Sequence, residues 1–346
     1  MTGNPPCIVI TGGCGFIASN LAATLQRDHP GSHAVVIDPM RSGSFATLVE
    51  SCDRIAGAPF AGEVVPESVD RVDWTSLVVE RRPAAIIHLG AITNTTIDDE
   101  AEMIRENAGE AWRFMLETAA DAEVPLVYAS SAATYGTPGE AADRVPFAEG
   151  SAGRPENVYG FSKWLMECAH RRLREERLAA GEPEPQIVGL RYFNVFGPGE
   201  GAKGSMASMA HQLAQQILAG GRPRLFSGGD QARDQVPVED IVAQTIAASG
   251  LGGGQPRPGV YNAGSGRATS FNEVADAVRR GLGVEAASCP TEYFEMPASI
   301  ARFYQTYTCA DMAAAADGLG FTPEHDPIER VESYARYLKG RTGSAG

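Results

Sequence analysis

The sequence is short of cysteine and uses what it has without pattern. Six cysteines (Cys7, Cys14, Cys52, Cys168, Cys289, Cys309) are scattered over 346 residues, with no C-x-x-C pair and no His/Cys cluster at zinc spacing. That predicts reduced thiols, a cytoplasmic setting and no metal centre. Positive charge is short as well: 29 Lys and Arg stand against 43 Asp and Glu, for a net charge of -14 and a pI of about 4.9. Such a chain is no general binder of nucleic acid or anionic membrane, although a local basic pocket stays open to it. Long apolar runs are missing, and none approaches the ~20 residues of a membrane span. No basic segment precedes an apolar one at the N-terminus, so no secretory leader is expected. Internal repeats and low-complexity tracts are missing too. The length suits a large α/β domain with a smaller second lobe.

What is present begins with a strand, a glycine turn and a helix. Cys7 to Thr11 is a short apolar run, read as a buried parallel strand. Gly12-Gly13-Cys14-Gly15-Phe16-Ile17-Ala18 follows, then an apolar-periodic stretch to about Arg27. Gly12 permits the turn, Gly15 lets backbone approach a pyrophosphate, and small Ala18 lets the helix pack on the strand. The phosphates would lie at the helix N-terminus. A second strand, His33 to Ile37, ends at Asp38, where a carboxylate can accept the ribose hydroxyls of NAD and repel a 2′-phosphate. Arg41 and Ser42 stand close by, and an arginine there can instead hold the 2′-phosphate of NADP.

Further strands are predicted at Ala84 to Ala91, Val124 to Ala129, Gln186 to Phe193 and Val260 to Asn262, with helices at Trp74 to Arg82 and Asp98 to Ala122. Leu89, Gly90 and Ala91 would let a cofactor pass close to backbone. His88, inside an apolar strand, reads as a core histidine. Asn107 is a candidate for holding neighbouring loops by its amide. Gly136 to Pro155 reads as a loop over the site, Met206 to Leu218 as a helix, and Phe271 to Leu282 as a helix capped by Ser270 and Glu273. This alternation predicts a doubly wound parallel sheet of the Rossmann type over residues 1–193, with a return segment near 234–262. The smaller C-terminal substrate lobe would take residues 194–233 and 263–340.

The chemistry centres on a helix beginning near Tyr159-Gly160-Phe161-Ser162-Lys163. Residues four apart share a helix face, and a lysine cation beside a phenol should lower the tyrosine pKa below its usual ~10. Such a tyrosine can exchange a proton with an alcohol while a nicotinamide exchanges the hydride. Ser130-Ser131 ends the strand before it, where Ser131 can hydrogen-bond the same oxygen.

These motifs together resemble the extended short-chain dehydrogenase/reductases, which include nucleotide-sugar epimerases and dehydratases. Tyr128 to Gly136, Asn157 to Lys163 and Arg191 to Pro198 resemble the ADP-L-glycero-D-manno-heptose 6-epimerase family, and the most specific stretch is Lys203-Gly204-Ser205-Met206-Ala207-Ser208. The resemblance covers nearly the whole chain. It implies an isomerase with tightly bound NAD or NADP, an ADP-heptose substrate and a homo-oligomer. The family oxidises C6 of the heptose and reduces the ketone on its other face. Tyr159 would serve one epimer and Lys203, as second acid/base residue, the other. A lysine in that role should have a lowered pKa. By motif, Lys163 matches the residue that holds the nicotinamide ribose, and Val195 lies beside the cofactor. Asn194, Ser205 and Tyr304 match substrate contacts, while Phe226, Ser227, Gly228, Gly229 and Arg233 match the grip on the diphosphate.

The chain departs from the family at several points. Ala18 replaces the usual glycine. Pro39 stands where Asn is usual, and Ser44 occupies the neighbourhood of a lysine near the 2′-phosphate, so NAD and NADP both stay open. His211 comes one position early and leaves Gln212 where a substrate-contacting histidine is expected. The segment Asp230 to Arg233 is one residue short. The alternatives are another nucleotide-sugar epimerase, such as a UDP-hexose 4-epimerase that needs only the tyrosine, and a non-catalytic NAD(P)-binding regulator. A 4,6-dehydratase is disfavoured, because Ala132-Ala133 stand where its Asp-Glu pair would be.

Overall fold

The computed structural model describes residues 6–93, 99–137, 144–297 and 304–342. Its centre is a parallel sheet of seven strands: β1 (Cys7–Thr11), β2 (His33–Ile37), β3 (Glu63–Val65), β4 (Ala85–His88), β5 (Leu126–Ser131), β6 (Ile187–Tyr192) and β10 (Gly259–Ala263). They lie in the order β3-β2-β1-β4-β5-β6-β10. Helices cover both faces, so the central strands are continuous apolar runs: Val9, Ile10, Val36, Ile86, Ile87, Leu126 and Val127 are all buried. Winding reverses direction between β1 and β4. Ligands of such sheets bind beyond the strand ends at that point. The glycine turn follows β1 there, and Leu89-Gly90 follows β4.

The flanking helices include α1 (Phe16–Asp28), α2 (Phe45–Ile55), α3 (Trp74–Arg81), α4 (Glu100–Ala108), α5 (Glu110–Asp121), α6 (Val158–Ala179) and α8 (Val238–Ser249). Outside the large sheet, β7 (Asn194–Phe196), β9 (Ala232–Pro237) and β11 (Ala268–Ser270) form a three-stranded sheet. Strands β8 (Arg224–Phe226) and β12 (Glu292–Phe294) pair separately. A second apolar core joins α7 (Met209–Leu218), α9 (Phe271–Leu282) and the C-terminal helix Pro327–Thr342 through Leu213, Val274, Val278, Val331 and Leu338. Helix α9 carries the expected capping box, with both reciprocal bonds between Ser270 and Glu273 made.

The structure corrects two boundaries. The single helix expected from Asp98 to Ala122 is two, α4 and α5, broken at Gly109, whose ψ of -154° leaves the helical range. Asp98 of that stretch lies outside the described residues, as do 138–143 of the loop over the site. Helix α7 starts at Met209, capped by Ser208, because residues 200–206 turn as a 3-10 segment. Helix α2 was not foreseen. All six cysteines are free. Among the described residues no helix is long and apolar enough to cross a membrane.

Candidate active site

The dinucleotide cradle is built by close backbone approach. Gly12 has a φ of +68°, and a Cβ there would lie 2.7 Å from the Cα of Gly90. Any side chain at Gly12 would fill the cleft between the β1 and β4 loops. The Thr11 hydroxyl accepts from the Gly90 N–H (3.1 Å) and bonds His88 Nδ1 (2.7 Å). His88 is therefore the core histidine expected, and burial with the nearby Lys163 charge pushes its pKa down to about 3. Gly15 is the N-cap of α1 and no side chain caps that end, so the first-turn N–H groups of Phe16 and Ile17 are suited to receive an anion. The residues present thus fit a dinucleotide pyrophosphate. Asp38 is buried, with Oδ2 accepting from the Cys14 N–H (2.9 Å) and Oδ1 from the Met40 N–H (2.6 Å). Cys14 is an apolar core residue of this turn. Arg41 is paired with Glu106 (3.3 Å), and Ser44 caps α2 through the Thr47 N–H (3.2 Å). Asn107 holds loops as expected: it bonds the Ile92 N–H and carbonyl (2.8 and 3.0 Å) and Ser162 Oγ (3.0 Å).

Tyr159 enters the site at the start of α6. The Asn157 side chain accepts from the Gly160 N–H (2.8 Å) and begins the helix. A Cβ on Gly160 would meet the Ala133 carbonyl at 2.6 Å, so glycine lets this turn press against the residues after Ser131. Tyr159 hydrogen-bonds Ser131. The electrostatics differ from expectation. Burial pushes the Tyr159 pKa up, and only the Ser131 bond draws it back. Lys163 does not lower it, because its Nζ donates to the Ala129 carbonyl (2.8 Å) beside Met166 Sδ (3.7 Å). Burial alone brings Lys163 down to about 7. The charge that was to favour phenolate is turned to the strand and weakened by dehydration.

Lys203 sits on the exposed turn between β7 and α7. Its Nζ lies 5.5 Å from the centre of the Phe16 ring, at the cradle. Among the described residues its ammonium has no hydrogen-bond or ion-pair partner. Crowding of that end lowers its pKa as expected, with Glu200 pulling the other way. Ser205 is exposed on the same turn. Gln212 Nε2 donates to the Ser205 and Ala207 carbonyls (3.2 and 2.7 Å), so here it holds the turn. Asn194 is exposed and Val195 buried on β7, where the chain leaves the large sheet.

A third group gathers across an open pocket lined by Ala133, Gly136, Glu156, Asn157, Arg233, Tyr304 and Gln305. The Arg233 guanidinium lies 5.1 Å from the Tyr304 ring centre, and Phe226 meets that ring edge-on at 5.4 Å. Arg233 donates to Gln305 (3.1 Å), while its buried Nε has no partner among the described residues. A dehydrated arginine of lowered pKa with an unmatched donor suits an anion. Ser227 and the positive-φ pair Gly228 and Gly229 form the turn after β8. Ser227 Oγ donates to Glu295 (2.8 Å).

Sequence reasoning missed Gln305 and the buried pair Glu167–Arg191. Arg191 makes two bonds to Glu167 (2.9 and 2.7 Å), and Ser130 Oγ donates to the same carboxylate (2.6 Å). Glu167 lies eight residues past Tyr159 and four past Lys163, so the helical period that exposed the first two could have found it.

This plan of sheet, cradle and tyrosine helix is that of a dinucleotide-dependent short-chain dehydrogenase/reductase. The chain belongs to the NAD dependent epimerase/dehydratase family, whose pattern matches residues 8–264. It is 35% identical over 316 residues to ADP-L-glycero-D-manno-heptose-6-epimerase of Alkalilimnicola ehrlichii, spanning 88% of this chain and 89% of that protein. The crystal structure of the Helicobacter pylori enzyme of the same name matches with a TM-score of 0.79 at 30% identity, over 97% of this chain and 96% of that one. A UDP-glucose-4-epimerase from Stenotrophomonas maltophila with bound NAD matches with a TM-score of 0.81 at 23% identity, over 99% and 100%. That last likeness speaks for the fold alone.

Proposed function

We propose that the protein inverts C6 of ADP-D-glycero-D-manno-heptose by transient oxidation to a ketone and reduction on the other face. The observation that carries this reading is Lys203: an amine of lowered pKa, held over Phe16 at the dinucleotide cradle and unpaired among the described residues. A ring epimerase needs one acid/base group, whereas inversion at an exocyclic carbon needs two. The C6 oxygen of the two epimers points to opposite sides, while the hydride face stays fixed.

When bound, the dinucleotide supplies the hydride acceptor and donor. Gly12, Gly15 and the first turn of α1 hold its pyrophosphate, Asp38 its adenosine ribose and Lys163 its nicotinamide ribose. Leu89, Gly90, Ala91 and Val195 line its path. Tyr159, with Ser131 sharing the oxygen, takes or returns the proton for one epimer. Lys203 does so for the other. Arg233, backed by Tyr304 and Phe226, grips the diphosphate, and Ser227 to Gly229 close the turn beside it. Asn194, Ser205 and Gln212 complete the sugar side.

NAD is the proposed dinucleotide. Asp38 is a buried acid at the ribose position, Arg41 is already engaged by Glu106, and Ser44 caps a helix where a lysine would be needed. Heat-released cofactor identified by chromatography tests this: NADP would overturn it. We assign residues 1–193 with 234–262 to the dinucleotide unit and 194–233 with 263–340 to the substrate lobe; the separate apolar core of α7, α9 and the C-terminal helix supports this, while Ala310, Ala315, Leu319 and Phe321 pack with the large sheet. A homo-oligomer is part of the proposal, supported by exposed Phe114 and Phe161 on α5 and α6 and tested by sedimentation.

The test of the function is Lys203→Ala on two substrates. Loss of heptose epimerisation of about 100-fold or more is expected, with no activity on UDP-glucose in either form. Robust UDP-glucose epimerisation that survives Lys203→Ala would contradict the reading.

A further inference from the structure

The turn that carries Lys203 is exposed at every residue from Gly201 to Met206, yet the residue that opens it, Glu200, is fully buried. A buried carboxylate needs partners. Glu200 has them on both stems of the turn. Oε1 accepts from the Gly197 N–H (3.2 Å) before it and the Ser208 hydroxyl (2.8 Å) after it, and Oε2 accepts from the Ser208 N–H (2.7 Å). The phenol of Tyr334, on the C-terminal helix, bonds the same carboxylate and also meets His211 Nδ1 (2.8 Å). His211 stacks on the Tyr334 ring at 6.1 Å. On the other side, Asn20 of α1 donates to the Pro198 carbonyl (3.0 Å) and to that of Phe16 (2.8 Å), tying the first stem to the residue under Lys203.

We propose that Glu200 is the positioning residue for Lys203: its carboxylate clamps the two stems of the turn and, through Tyr334 and His211, fixes the turn to the C-terminal helix. Tyr159 and its helix are held by other contacts, so the clamp acts on one of the two acid/base groups. This inference rests on the proposed C6 epimerase reaction and assigns its second group a mechanical support. Each epimer should therefore depend on Glu200 differently. The epimer whose C6 oxygen faces Tyr159 is oxidised without the clamp. The epimer that faces Lys203 is not.

Glu200→Gln keeps the shape and removes the charge. Mixed separately with each epimer of the ADP-heptose, the variant should reduce its bound dinucleotide at near wild-type rate with one epimer. With the other it should be slower by about 100-fold, the usual consequence of a catalytic group displaced by an ångström. A second readout needs no substrate. The Glu200 charge raises the Lys203 pKa, so its removal should shift the pH midpoint of Lys203 acylation, followed by peptide mass spectrometry, to lower pH. Glu200 and His211 are the titratable groups coupled to it, and His211 is unchanged in the variant. Equal slowing with both epimers, or wild-type rates with an unmoved midpoint, would overturn the proposal. If Glu200→Gln does not fold, Tyr334→Phe takes its place, with the same asymmetry supporting the clamp and symmetric or absent loss overturning it. If wild-type protein ignores both heptoses, the reaction assignment fails, and the acylation midpoint still decides whether Glu200 governs Lys203.

Discussion

Lys163 illustrates what a functional residue does to the fold around it. Its ammonium is buried against a strand carbonyl, and burial brings its pKa from the ordinary 10.5 to about 7. A basic group whose folded pKa lies below its unfolded value binds fewer protons folded than unfolded. Between pH 7 and 10.5 the unfolded state therefore holds more protons, and this residue makes stability rise with pH. Lys163→Met in ligand-free protein should raise Tm at pH 7 while abolishing turnover, and the gain should shrink as pH approaches 10. Melts of both proteins across that range check it; a gain that grows with pH would contradict it. Tyr159→Phe should lower kcat by about 10²- to 10⁴-fold with little change in KM. Legibility at this scale was uneven. The Tyr–Lys spacing was plain, but the direction of the Lys163 head was not, because it depends on where the Ala129 carbonyl falls. With no lowering from Lys163, burial raises the Tyr159 pKa, the reverse of the expectation.

At the scale of elements, α6 is the hinge between sequence pattern and site. Its N-cap Asn157 came only with the structure, whereas its Tyr159–Lys163 face could be read from local spacing. Its anchorage could not: Glu167 meets Arg191 across 24 residues, with Ser130 on the same carboxylate. Neither side chain announces its partner, and only the pairing of β5 with β6 brings them together. Breaking such a buried pair leaves an uncompensated charge, so Glu167→Leu should cost about 3–5 kcal/mol. Denaturant unfolding measures this, and a loss under 1 kcal/mol would show the pair to be dispensable. The break between α4 and α5 was missed for the opposite reason. Gly109 sits inside a helical pattern strong enough on both sides to hide it. The contact of Arg233 and Phe226 with Tyr304 joins segments far apart in sequence, and only the resemblance names these residues.

For the whole molecule, the order of strands around the β1–β4 switch point follows from the alternation of strands and helices, which is why the sheet was legible without the structure. The interior was less so: His88 was read as a core histidine, but His170 was not. His88 and His170 are both neutral and buried, with pKa values pushed down to about 3 and about 4 by burial first and then nearby cations. Unfolded, both titrate near 6.5. As pH falls below that value the unfolded state gains protons that the folded state refuses. Stability then drops toward pH 4 with a slope approaching ~1.4 kcal/mol per pH unit for each histidine. His170→Gln should remove one histidine's share of that slope; parallel pH curves for variant and wild type would contradict this.

The most direct test of the proposed reaction is proton NMR of ADP-D-glycero-β-D-manno-heptose incubated in D₂O with purified protein and no added cofactor. The expected product is the L-glycero epimer with protium retained at C6, since the hydride that leaves that carbon is the one that returns. Deuterium at C6, or no conversion even when NAD and NADP are supplied, would contradict it.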